Sequence, residues 1–272
     1  MIDGDLIRTL PSAALKAGAF AKVPFLGGHT TDDGSIFVGD PAKVTTDDQV
    51  KAAITSRYKS LSNATLDRML ELYPLSDFSS QGHRATVAFA DTEFSCTPYV
   101  VARKMAEAGQ VSYNYECVVP GRDQKREYRA DRSDLDFPRP RWAAPDPVQL
   151  KARGPSFGAL HTSDLYFLFQ GTNSGPSSNN ALPVFTAFNA TEAALSAEAV
   201  RAWTTFAIDH KPVTDTPWPP APDARFVFRE STANVSLADA AQATTASAAA
   251  PVSDAHTARC EFWLEVGDER RL

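Results

Sequence analysis

Three stretches hold residue types able to move protons or attack a carbonyl. The first is Gly27-Gly-His-Thr-Thr-Asp-Asp-Gly-Ser35, directly after a short apolar run. Carboxylates beyond the carboxyl end of a strand are where α/β folds keep catalytic groups. The same Asp-Gly pair is also ordinary turn chemistry. The second is Gly158-Ala-Leu-His161-Thr-Ser-Asp164. A loop histidine there could act as a general base, although a lone histidine also serves structure. The third, Gly154-Pro-Ser-Phe-Gly158, matches the G-x-S-x-G elbow that holds a nucleophilic serine on a strained strand-to-helix turn. Its setting differs from that motif. No strand-like run precedes it, Pro155 adjoins the serine, and Ser156 lies only five positions from His161. The match reads as coincidence, which makes a hydrolase built on Ser156 the weakest reading of the chain.

Elements able to position such groups follow from periodicity and punctuation. Short helices are expected over residues 11–21, from residue 46 to about 54, and over 62–73, where Leu66, Met69, Leu70 and Tyr73 share a face. Residues 83–109 read as helix in two pieces, broken near Cys96-Thr-Pro98 and stopped at Gly109. Further helices are expected at 165–169, 191–210 and about 254–266. Residues 23–28 read as a buried strand closed by glycines. Residues 110–119 form the best strand, and 224–230 alternate like a third. The Ala/Thr/Ser-rich stretch 237–251 reads as a low-complexity loop, and 121–157 as a proline-rich excursion. Strands separated by long helical segments predict an α/β layered architecture. Two or three strands are too few for an ordinary doubly wound sheet, so the chain reads as part of a larger domain.

Composition narrows the function classes. The 272 residues carry 27 Lys+Arg against 33 Asp+Glu, a net charge of −6, which argues against a nucleic-acid partner. No run approaches the roughly 20 apolar residues of a transmembrane helix. Of the three cysteines, Cys96, Cys117 and Cys260, none has C-x-x-C spacing, so no zinc or redox motif is visible, and no metal or cofactor is expected. The odd count allows one disulfide and one free thiol. Asn63, Asn189 and Asn234 each open an Asn-x-Ser/Thr glycosylation acceptor, which points to secretion, yet the N-terminus is acidic and carries no apolar signal region.

Several blocks, in order, resemble the type-B carboxylesterases, the cholinesterase-like branch of the α/β-hydrolases that includes many secreted fungal esterases and lipases. Val23-Pro-Phe-Leu-Gly-Gly-His-Thr-Thr-Asp-Asp-Gly-Ser35 is similar to the block V-P-x-L-x-G-x-x-x-D-E-G-S. Asp91-Thr-Glu-Phe-Ser-Cys-Thr-Pro98 resembles the opening of the helix before the last large strand. Gly158-Ala-Leu-His-Thr-Ser-Asp-Leu-Tyr-Phe-Leu-Phe169 resembles G-A-x-H-x-x-E/D-x-x-x-x-F. Ala202-Trp-Thr-Thr-Phe-Ala207 followed by Trp218-Pro219, and Cys260-Glu-Phe-Trp263, resemble the family's closing segments. The resemblance covers nearly the whole chain and corresponds to the family's C-terminal half.

What the resemblance implies is specific. The fold is the C-terminal portion of an α/β-hydrolase, a partial sheet with packed helices spanning residues 1–272, with 237–251 a loop inside it. The full-length activity is hydrolysis of a small-molecule or lipid ester by a Ser-His-Asp triad without a cofactor. Asp33 matches the triad acid, where most relatives carry glutamate, with Asp32 as the fallback. His161 matches the base. Cys96 and Cys260 match a structural disulfide, closing a loop whose constraint on the unfolded chain amounts to about 4–5 kcal/mol in the entropic account. Cys117 is left as a buried free thiol. The nucleophilic serine and the oxyanion glycines belong to the family's N-terminal half, so the chain is expected to begin inside a longer secreted protein and to be inactive alone. The alternative is a non-catalytic cholinesterase-like binding or adhesion module.

Overall fold

The computed structural model describes residues 2–118, 159, 161–169, 188–231 and 242–270. Among them is one four-stranded sheet: β1 (Phe25–Thr30), β2 (Ser112–Val118), β3 (Ala224–Arg229) and β4 (Ala248–Pro251), in that spatial order. The first three are parallel, with Phe25 opposite Ser112 and Tyr115 opposite Phe226. Strand β4 returns antiparallel, Ala224 facing Pro251. Parallel neighbours need helical crossovers, and these cover both faces.

Strand β2 shows why the sheet is sandwiched. Its aromatic residues alternate with small polar ones. Tyr113, Tyr115 and Cys117 join one buried cluster with Leu195, Ala199, Ala202, Trp218, Phe226 and Phe228. The intervening Ser112 turns to the other face, where its hydroxyl donates to the Ala102 carbonyl at 2.7 Å. That second face is covered by α2 (Asp47–Thr55), α3 (Asn63–Leu72), α4 (Gln81–Ala90), α5 (Cys96–Glu107) and α8 (Asp254–Glu265), around Ile54, Met69, Tyr73, Phe89 and Trp263. The first face carries α6 (Ser163–Leu168) and α7 (Ala190–Asp209). Short helices α1 (Pro11–Lys16) and α9 (Gly267–Arg270) meet at one end.

Most of these helices begin where a side chain satisfies the free N–H groups of the first turn. Thr46 and Gln49 form a reciprocal capping box on α2, and Asn189 and Glu192 form another on α7. Ser62, Ser80 and Ser253 cap α3, α4 and α8. Each such cap is worth about 1 kcal/mol.

Four sequence expectations need correction. The loop assigned to 237–251 contains β4, because Ala248–Pro251 completes the edge of β3 with backbone hydrogen bonds that need no strand-forming side chains. Among the described residues the sheet has four strands, not two or three. The helix interruption falls at Asp91–Ser95, one π-helical turn, while Pro98 lies inside the first turn of α5. Proline has no N–H to return to the preceding turn, and the wide turn sits where that bond would be missing. Finally, β1 runs through Gly27 and Gly28 instead of ending there. A β-carbon on Gly28 would lie 2.3 Å from Tyr115, so this glycine permits close approach of β2 and makes no turn.

Candidate active site

Strand β1 delivers its chain to a buried loop at the carboxyl edge of the sheet. Thr30 begins a tight turn: the Asp33 amide donates to the Thr30 carbonyl at 3.3 Å, and the Thr30 amide donates to Asp33 Oδ2 at 2.7 Å. The Ser35 amide closes onto the Asp32 carbonyl at 2.9 Å. Residues 32–35 are all buried. Gly34 allows this depth, because a β-carbon there would stand 2.1 Å from the Thr86 carbonyl of α4. With Oδ2 held by the backbone, Asp33 presents Oδ1 to His161 Nδ1 at 2.7 Å. Burial pushes the Asp33 carboxyl up, against the hydrogen bonds from Thr30 and His161 that favour its ionised form.

Asp32 takes a different task from its neighbour. Its amide donates to the Ala159 carbonyl at 2.9 Å, and its Oδ2 accepts from the Ala159 amide at 2.9 Å. This two-bond clamp fixes the backbone two residues before His161. Thr162, immediately after the histidine, has φ 70°, a left-handed conformation unusual for a β-branched residue. The clamp on one side and the left-handed turn into α6 on the other fix the direction of the imidazole.

Two phenylalanines complete its seat. The ring of Phe94, from the π-helical turn, lies 4.2 Å from the His161 ring centre, and Phe37 meets it edge-on at 5.5 Å. The His161 side chain is 34% exposed, against 5% for Asp33. Among the described residues nothing hydrogen-bonds its Nε2. The arrangement is a buried carboxylate and a part-exposed imidazole anchored through Nδ1, with Nε2 unpaired among the described residues, which is the geometry a general base requires.

The structure therefore brings together the two residues singled out as acid and base, 128 positions apart in sequence. Cys96 and Cys260 are disulfide-bonded, with Cα atoms 4.9 Å apart. Cys117 is free and buried on β2, where burial pushes its thiol pKa up. Ser156 and Asn234 lie outside the described residues. Asn63 is exposed at the first position of α3, and Asn189 is exposed as the α7 cap. Sequence reasoning missed Phe37, Phe94 and the Asp32–Ala159 clamp. Phe37 could have been suspected from its nearness to Asp33, but nothing in the sequence ties Phe94 to His161.

The sequence model of the carboxylesterase family matches residues 1–249. The chain belongs to that family. Over 72 residues it is 33% identical to Lipase 2 of Geotrichum candidum, covering 26% of this chain and 13% of that protein. Over 120 residues it is 29% identical to a secreted lipase of Arthroderma benhamiae, covering 41% of this chain and 21% of the other. The crystal structure of Aspergillus niger EstA superposes on 99% of this chain with a TM-score of 0.68 at 18% identity, a likeness of fold. The superposition takes in 45% of EstA, so this carboxylesterase-family chain spans less than half the length of that relative. Its mixed sheet with helices on both faces is an α/β fold, as the family resemblance implied.

Proposed function

We propose that residues 1–272 are the C-terminal part of a carboxylesterase domain that hydrolyses a small-molecule or lipid ester, with His161 as general base and Asp33 as its orienting acid. The observation that carries this reading is the 2.7 Å bond from Asp33 to His161 Nδ1 in a chain of the carboxylesterase family. In this scheme the nucleophilic serine comes from outside these 272 residues. His161 Nε2 takes the serine proton as the hydroxyl oxygen attacks the ester carbonyl. Asp33 stabilises the imidazolium that forms. The proton then passes to the departing alcohol, leaving an acyl-serine, and water repeats the sequence to release the acid. Only protein groups and water take part in these steps. Without the serine the covalent step is lost, so the chain alone is inert.

The full-length protein is secreted and glycosylated in this reading. A secreted lipase among the relatives, the exposed acceptor Asn63 and the disulfide support it. The test is hydrolysis of a chromogenic short-chain ester by two preparations: this chain alone, and the polypeptide extended by the upstream reading frame. The extended protein should be active and this chain silent. In the extended protein His161→Ala and Asp33→Asn should each lower kcat by about 10³-fold or more with the fold retained. Activity in the short chain, or full activity in His161→Ala, would overturn the assignment.

A further inference from the structure

The loop that carries His161 runs straight into α6, a helix with little of its own to hold it. It is six residues long, too short to persist without tertiary contacts. Its cap residue, Thr162, is left-handed and makes no side-chain bond to the first turn. Among the described residues the buried Ser163 hydroxyl finds no partner. Two side-chain bonds fasten the helix instead. At its end, the Ser196 hydroxyl of α7 donates to the Phe167 carbonyl at 2.6 Å. At its start, the Tyr115 hydroxyl of β2 donates to Asp164 Oδ2 at 2.8 Å, while Oδ1 accepts from the Leu165 amide at 3.1 Å. The tyrosine itself is firmly placed. On its strand it stands opposite Gly28 of β1 and Phe226 of β3. Its ring lies where a Gly28 β-carbon would be 2.3 Å away, and it meets Trp203 edge-on at 4.7 Å and Phe228 at 6.1 Å. With the ring packed among these groups, the sheet sets the position of the hydroxyl. Burial, and then the charge of Asp164, push the phenol up, so Tyr115 stays the donor and the carboxylate the acceptor.

We propose that Tyr115 is a positioning residue for the general base: through Asp164 its hydroxyl fixes the first turn of α6, and with it the Thr162 turn that aims the His161 imidazole. The inference rests on the reading of His161 as the base. The Asp32 clamp on Ala159 holds the chain two residues before the histidine, and the bond from Tyr115 holds it three residues after. One anchor comes from the end of β1 and the other from β2, two strands in fixed register. The left-handed backbone at Thr162, costly for a β-branched residue, relaxes only if one anchor gives way. Tyr115 hydrogen-bonds to Asp164 and to neither His161 nor Asp33, so it takes no part in the proton transfer. Its loss therefore lowers the rate constant and leaves substrate binding alone. A misplacement of about 1 Å can cost on the order of 10²-fold in rate.

The test is steady-state hydrolysis of the chromogenic ester by the polypeptide extended upstream. Tyr115→Phe removes the hydroxyl and keeps the ring. It should lower kcat about 10-fold with KM unchanged within about twofold, well short of the loss in His161→Ala. Asp164→Ala should match it, and the double variant should be no worse than either single one, because the pair acts as a unit. Asp164→Asn, whose amide oxygen still accepts from the tyrosine, should recover most of the rate. The decisive readout is the Asp33→Asn background. There the imidazole has already lost its orienting acid, so Tyr115→Phe should cost at most about twofold. A merely structural tyrosine would cost the same factor in both backgrounds, and that result overturns the proposal. So does a wild-type kcat in Tyr115→Phe, or a raised KM at constant kcat. If Tyr115→Phe fails to fold, Asp164→Ala decides by the same criteria. An inactive His161→Ala beside a fully active Tyr115→Phe overturns the positioning role alone, whereas full activity in His161→Ala overturns the reading beneath it.

Discussion

Adjacent aspartates do separate work at the end of β1. Asp33 holds the imidazole, and Asp32 holds the backbone that carries it. Removing the second should therefore disturb the first. Asp32→Ala leaves the buried Ala159 amide without its acceptor, a cost of about 1–3 kcal/mol. Chemical unfolding should register that loss. Faster modification of His161 by an imidazole-directed acylating reagent should report the loosened loop, and an unchanged rate would show that the clamp does not position it. A second residue-scale effect concerns His29, buried on β1 with Nδ1 unpartnered. The charged groups around it are Glu116 on the neighbouring β2, Arg225 on β3, Asp91 in the π-helical turn and His256 on α8. Burial pulls it down to about 4 from an ordinary 6.5. Between those values the unfolded chain binds the proton and the folded chain does not, so stability rises with pH across that window. Acidification from pH 6.5 to 4 should cost on the order of 3 kcal/mol through this group. His29→Leu should lose less stability over the same range; equal losses in both proteins would rule out the effect.

At the scale of elements, the acid-bearing loop depends on how closely β1 and its turn approach their neighbours. Gly34→Ala places a methyl group against the Thr86 carbonyl of α4. A shift of either the loop or the helix is required, with an expected loss of about 1–3 kcal/mol. A denaturation midpoint equal to wild type would show that α4 yields at no cost. Much of this level is legible in the sequence. Helix α7 opens with its capping box at Asn189, near the expected residue 191, and β2 is marked by its run of aromatic and β-branched residues. What escaped has local causes. β4 is made of alanines and a proline, and only the exposed edge of β3 makes it a strand. The glycines of β1 look like punctuation until Tyr115 is seen against them. The site was half legible: Asp33 and His161 stand in blocks of recognisable type, but Phe94 meets the imidazole from the π-helical turn, 67 positions away in sequence, and no local pattern ties the two.

For the molecule as a whole, the sheet order among the described residues leaves β1 at one edge, and Leu6, Val23 and Phe37 are exposed near the segments that flank it. Among the described residues that edge carries unpaired backbone groups, the kind of surface on which another strand can pair. The bond from Cys96 to Cys260 then acquires a topological meaning. The 164-residue span it closes holds β2, β3, β4 and His161, whereas Asp33 lies outside it. A protease that severs one peptide bond anywhere inside the ring makes two polypeptides but releases neither. The nicked protein migrates as one species until a reductant is added, so intact mass on a non-reducing gel is no proof of an uncut chain.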